Sequence, residues 1–138
     1  MKTFFDSSSF AKRFVEEPGS QEVDDICQET SMLGLSVICL PEIISALNRR
    51  LREKCLTHQD YLKAKHRLVE DIKDSQIINL IPTVIDKSVV LLESNTLRSM
   101  DALHIACALE WQAETFVSSD KKQVKVAKKA GLQTKYIE

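Results

Sequence analysis

The sequence has little of what marks the unusual protein classes: only three glycines and three prolines in 138 residues, against 43% apolar residues. Collagen-like, low-complexity and disordered chains are thereby excluded, and a chain of this length buries roughly 68% of its extended surface without staples. The four cysteines, at 27, 39, 55 and 107, form no CxxC pair, and the three histidines (58, 66, 104) are equally scattered. A His/Cys metal site is not expected, and the thiols read as reduced, structural groups in a reducing compartment. The longest apolar run, Ile105–Leu109, falls far short of the roughly 20 residues of a bilayer span. Asp6 arrives too early for a secretory signal, so a cytoplasmic protein with no membrane association is expected. Glycine-rich phosphate loops and GxSxG are missing too, which removes P-loop and serine-hydrolase chemistry.

Charge is present but unevenly placed. The net charge of −1 hides segments of −5 (1–48), +5 (49–67), −5 (68–118) and +4 (119–138). Arg49, Arg50, Arg52 and Lys54 suit a helix C-terminus, whereas Lys121, Lys122 and Lys125 would open a helix, where cations are disfavoured. Solvated helix faces and a basic rim around an acidic centre both fit this pattern.

Apolar periodicity gives the framework. Strands are expected at Lys2–Phe5, Leu33–Leu40, Gln76–Leu80, Thr115–Ser118 and Thr134–Ile137. Helices are expected over Ser7–Glu17, Ser20 (as cap) to Thr30, Pro41–Cys55, Thr57 (as cap) to Asp74, Pro82–Ser94, Ser99–Gln112 and Asp120–Ala130. The helix over 99–112 is apolar on nearly all sides, so it should be central, with Leu103, Ile105 and Leu109 buried. Alternating compact strands and helices joined by short connections indicate an α/β class: one three-layer α/β/α domain, residues 1–138, with a mainly parallel central sheet.

Four acids fall at comparable places in this framework. Asp6 follows the first strand, Glu42 lies in the helix after the second, Asp101 in the first turn of the most apolar helix, and Asp120 after the 115–118 strand. Parallel strands gather their C-terminal ends at one edge, where open α/β sheets bind ligands. Each acid alone also suits a helix cap or first turn. Gathered without a cation they would repel and take up protons, so a cluster points to a bound divalent metal.

Asp6-Ser7-Ser8 after an N-terminal strand, Pro41-Glu42-Ile43 opening a helix, Ser99-Met100-Asp101-Ala102-Leu103-His104-Ile105-Ala106, and Phe116-Val117-Ser118-Ser119-Asp120 together resemble the ordered motifs of PIN-domain ribonucleases. The likeness spans essentially the whole chain, and its size is that of the VapC-like toxins of prokaryotic toxin–antitoxin pairs. The resemblance implies Mg²⁺- or Mn²⁺-dependent endonucleolytic cleavage of RNA by Asp6, Glu42, Asp101 and Asp120, with Ser8 and Ser118 orienting the acidic centre. It implies as partners an antitoxin that blocks the site and a second copy in a homodimer. Some members carry a further acid near the fourth; Ser118 and Gln123 offer none here, which leaves open how many ions bind.

On ligand chemistry, Asp6 and Asp101 would hold a hard cation, with Glu42 and Asp120 completing the metal site, one of them through water or as a base. The cations of Arg49–Arg67 and Lys121–Lys129 would hold flanking phosphates. His104 reads as hydrogen-bonded rather than ligating. The apolar stripes of the 41–55 and 57–74 helices face either the protein's own sheet or a groove-bound peptide. Two other functions compete: a catalytically silent module of the same fold that binds RNA or protein, and a phosphoacceptor receiver or haloacid-type phosphatase. Asp6-Ser7-Ser8-Ser9 lacks the second aspartate the phosphatase needs, and no acidic pair ends the first strand as a receiver requires.

Overall fold

The strands are short, and the central ones carry apolar residues on both faces, so they must be covered from above and below. In a computed structural model describing residues 1–138, β1 (Lys2–Phe5), β2 (Met32–Ser36), β3 (Gln76–Ile78), β4 (Thr115–Ser118) and β5 (Gln133–Tyr136) form one parallel sheet in the order β3-β2-β1-β4-β5. Side chains alternate across it. Phe4 and Phe116, paired in register, stack at 5.9 Å in a layer with the helices α5 (Pro82–Ser94), α6 (Ser99–Trp111) and α7 (Lys121–Lys129). Phe5, Leu35 and Val117 point the other way, into a layer with α1 (Ser7–Phe10), α2 (Ser20–Glu29), α3 (Cys39–Arg52) and α4 (His58–Lys73). The three-layer α/β/α class is therefore the observed one. No helix is long and apolar enough to cross a membrane.

Gly34 in β2 lies opposite Phe4, and the Trp111 ring covers its backbone; a Cβ there would come within 2.5 Å of the indole. The close approach seats the C-terminal end of α6 on the sheet and aims its N-terminal turn, with Asp101, at the opposite edge. The α6 helix is central, with Ala102, His104, Ile105, Ala106, Cys107 and Ala108 buried. Leu103 and Leu109, however, are only half-buried, at the margin of their layer.

Several boundaries differ from the sequence reading. The expected Ser7–Glu17 helix is a single α-turn continued as a 3₁₀ turn over Ala11–Arg13. Beyond it the polar groups find other partners: the Ser20 hydroxyl takes the Glu17 N–H and donates to the Val15 carbonyl, and Lys12 donates to Pro18. Gly19, at φ 91°, caps α2 in place of Ser20, which is the first helical residue. The strand expected to run to Leu40 stops at Ser36: Val37 N–H makes the last ladder bond, to the Ile78 carbonyl, and the next N–H, of Ile38, turns back to Ser36 Oγ. Helix α3 thus starts at Cys39 and Pro41 sits third, still within the first turn whose N–H groups lack helical acceptors. The apolar stripes of α3 and α4 are spent inside the molecule: Ile43, Leu47, Ala64 and Leu68 all join the layer under β1 and β2.

Candidate active site

The strand order reverses at β1: the chain winds outward through β2 and β3, then returns to place β4 on the other side of β1. Such a switch point opens a crevice beyond the strand C-termini. Phe5 pairs with Val117, and Asp6 N–H continues the ladder to the Val117 carbonyl at 3.1 Å. The loops after β1 and β4 are thus side by side, and they bring Asp6 to Ser118 and Asp120.

Asp6 is fully buried, so its carboxylate must be paid in hydrogen bonds. Ser118 Oγ donates to Oδ2 at 2.6 Å, Ser8 Oγ lies 2.9 Å from both oxygens, and Ser9 gives its N–H (3.0 Å) and hydroxyl (2.8 Å) to Oδ1. The same hydroxyls tie the two loops together: Ser8 Oγ accepts from Ser119 N–H and Ser118 Oγ from Asp120 N–H. Asp6 is at once the cap of α1 and the centre of this cluster.

Gln123 Nε2 donates to Asp6 Oδ2 at 2.8 Å and to Asp101 Oδ1 at 3.1 Å, linking the loop after β1 to the first turn of α6. Burial pushes the Asp101 carboxyl above its ordinary value, and the charges of Asp120 and Asp6 add to this, while the exposed Arg98 opposes it. Asp120 caps α7 through Lys122 and Gln123 N–H, yet its charge is felt at Asp101. Three of the four sequence candidates therefore share one electrostatic neighbourhood.

Glu42 belongs to a different one. Its protein hydrogen bonds all fall on Oε1, from Ser7 Oγ at 2.7 Å and His104 Nε2 at 2.6 Å. Burial would raise this carboxyl, but the hydrogen bonds from His104 and Ser7, with the electrostatic influence of His104 and Arg98, hold it below the usual value. His104 is buried, in keeping with a hydrogen-bonded role, and its Nδ1 meets no protein partner. Beneath lies Cys39, whose thiol burial pushes up to about 12, an inert packing group. None of the four thiols is in a disulfide.

Two clefts flank the acids. One, about 320 Å³, is lined by Ser7, Ser8, Glu42, Arg49 and Arg50; the other, about 350 Å³, by Thr96, Arg98, Asp101, Asp120 and Lys122. A larger apolar cleft of about 440 Å³ between α5, α6 and α7 holds none of the candidate acids. The donor set of Asp6, Asp101 and Asp120 is all oxygen and mutually repelling, which fits a hard divalent cation. As they stand, no three acidic, thiol or imidazole groups are placed to grip one together, and the Gln123 amide lies between Asp6 and Asp101.

Gln123, Ser9 and Ser7 were not among the sequence candidates. Gln123 left a signal nonetheless: it occupies the same face of α7 as the buried Val126 and Ala127, and a polar residue on a buried stripe needs a partner. The two serines left none beyond standing next to Asp6.

The model of the PIN domain family matches residues 3–129. No curated protein sequence matches the chain. Among solved structures, it resembles the sarcin–ricin loop cleaving toxin VapC20 of Mycobacterium tuberculosis, at 15% identity and a TM-score of 0.70, covering 94% of this chain and 95% of that one. It also resembles a chain of VapBC2 from Rickettsia felis bound to a promoter DNA fragment, at 13% identity and 0.72 over the whole of both chains. A toxin–antitoxin complex from Klebsiella pneumoniae matches at 17% identity and 0.68, over 88% of each chain.

Proposed function

The chain belongs to the PIN-domain family, and on that premise we propose that it is an endoribonuclease dependent on Mg²⁺ or Mn²⁺, acting as the toxin of a toxin–antitoxin pair. The observation that carries the reading is the convergence on one switch point of Asp6 and Asp120, from the ends of β1 and β4, and Asp101, from the first turn of α6, with the Gln123 amide bonded to both Asp6 and Asp101.

Asp6 and Asp101 would hold the cation directly, with Asp120 beside them. When bound, the ion supplies Lewis-acid chemistry, making water nucleophilic at neutral pH and offsetting phosphate charge. Ser8 and Ser118 fix both Asp6 oxygens, so the carboxylate presents one orientation. Glu42, anchored through Oε1 alone, keeps Oε2 available to take a proton from the attacking water. Arg49 and Arg50 in one cleft and Arg98 and Lys122 in the other suit the phosphates of an RNA strand laid across the acids.

An antitoxin partner would place a cationic side chain against the carboxylates; the neighbours described as toxin–antitoxin complexes support this. For the homodimer, Ile81, Ile85, Val89 and Val90 leave an apolar face of α5 open to solvent, and sedimentation at micromolar protein tests it. The activity test is cleavage of structured RNA with Mn²⁺, with EDTA, and with Asp6→Asn. Cleavage that needs the metal and Asp6 supports the assignment; intact RNA under every metal condition leaves the silent binding module.

A further inference from the structure

We propose that Gln123 is a two-state positioning residue: its amide N–H groups hold Asp6 and Asp101 together in the metal-free protein, and its carbonyl turns inward when a cation binds. The inference rests on the metal-dependent reading above and adds a residue to it. A primary amide has two N–H donors, and Gln123 spends one on each carboxylate, at 2.8 and 3.1 Å. The chemistry of the neighbours fixes this orientation, since a carbonyl facing two carboxylates would only repel them. The residue is 3% exposed, and its Oε1 receives no hydrogen bond from the protein. Leaving a buried carbonyl without a donor is unfavourable, so the metal-free arrangement keeps one good oxygen in reserve.

A cation held by Asp6 and Asp101 would compete with the positive end of the amide now bonded to both. It would repel the N–H groups and attract Oε1, a hard neutral oxygen of the kind divalent cations accept. The exchange needs no backbone movement. Gln123 is fixed in the first turn of α7, its N–H directed at Asp120 Oδ1 and the helix anchored by Val126 and Ala127. Only the terminal torsion turns, and that torsion is broad and nearly two-fold in glutamine.

The test follows the glutamine side-chain amide by NMR in uniformly ¹⁵N-labelled full-length protein titrated with Mg²⁺. In EDTA the Gln123 NH₂ pair should show the shifts of an amide bonded to two carboxylates; at saturating Mg²⁺ those shifts should change as both bonds break. Gln123→Glu replaces the neutral clamp with a fourth charge, so its melting temperature in EDTA should fall while calorimetric Mn²⁺ affinity rises about tenfold, ligand charge being the usual control of affinity. If Mg²⁺ shifts the backbone amides of Ser8, Ser9 and Lys122 but leaves the Gln123 NH₂ pair unchanged, the ion binds and the two-state amide is wrong. An unchanged Mn²⁺ affinity in Gln123→Glu, with equal loss of stability with and without metal, would reduce the residue to packing. If no amide responds to Mg²⁺ or Mn²⁺, the metal-dependent reading itself fails and carries this one with it.

Discussion

Glu42 and Asp101 stand at the same sheet edge, half-buried, one helical turn into their helices, yet the protein treats them oppositely. Around Glu42 it supplies a hydroxyl, an imidazole and a nearby guanidinium, and the carboxyl is held low. Around Asp101 it places the Gln123 amide and the exposed Arg98, but also two further aspartates, and burial and their charge push the carboxyl up in spite of Arg98. The charged form of one acid is favoured by its surroundings, and that of the other is disfavoured. A carboxylate cluster is thus not uniform, and the half where charge is disfavoured is the part organised for an external ion.

The comparison can be broken most severely at the element that supports both sides. Helix α6 carries Asp101 and His104 on its outer turns and the fully buried Ile105 beneath them. Ile105→Ala should lower stability by roughly 2–5 kcal/mol and loosen both halves together, whereas half-buried Leu103→Ala should cost clearly less. Chemical denaturation checks the pair, and equal costs would misplace the helix.

Next comes the asymmetry in function. Asp6→Asn and Asp101→Asn should each reduce metal-dependent RNA cleavage on the order of 100-fold or more, the scale lost with a positioned electrostatic group, without unfolding the protein. Steady-state cleavage beside circular dichroism reads this. Near-wild-type rates over a range of Mg²⁺ and Mn²⁺ would put the metal centre elsewhere.

The half where charge is favoured should respond in stability. His104→Phe keeps a ring and removes the donor to Glu42, at an expected cost of about 1–3 kcal/mol near neutral pH. A folded carboxyl held low contributes stability above its unfolded value, about 4.3, and loses it as the pH falls through the lower folded value. The gap between wild type and His104→Phe should therefore narrow in acid. His104→Gln, measured by Mn²⁺ calorimetry, should leave ion binding unchanged.

The smallest effect has the opposite sign. A raised carboxyl is a penalty that is complete above the folded value and vanishes below the unfolded one, about 3.9 for aspartate. Asp101→Asn should then stabilise the metal-free protein at neutral pH, by less than about 1 kcal/mol given its partial exposure to solvent, with the gain disappearing as the pH approaches 3.9. Thermal melts in EDTA from pH 3 to 8 test it; a destabilised variant at pH 7 would erase the contrast with Glu42.

Much of this was legible in the amino-acid order, and the illegible remainder has physical causes. Compact apolar runs announced five parallel strands, and Pro41 and Pro82 marked first helical turns within two residues. The run Leu33–Leu40 misled because Val37 and Ile38 are as apolar as the strand before them; the strand ends where the Ile38 N–H turns back to the Ser36 hydroxyl. The turn after Phe14 was hidden for the same reason, its polar groups being satisfied by Ser20 and Lys12 side chains. Four acids at strand ends were visible, but nothing in their spacing says that Glu42 would find Ser7 and His104 while Asp101 would face Asp120. That distinction is made by contacts 35 and 62 residues apart. Gln123 was noticed for lacking a charge, when its two N–H groups were the feature that mattered.

The contrast between the two halves of the acidic edge is tested most directly by calorimetric titration of Mn²⁺ into metal-free wild type, Asp101→Asn and Glu42→Gln at neutral pH. The wild type should bind, Asp101→Asn should lose at least about tenfold in affinity, and Glu42→Gln should stay within a few-fold, as expected when one carboxylate ligates and the other acts through water. Equal losses in both variants, or a Glu42→Gln defect larger than that of Asp101→Asn, would contradict the account.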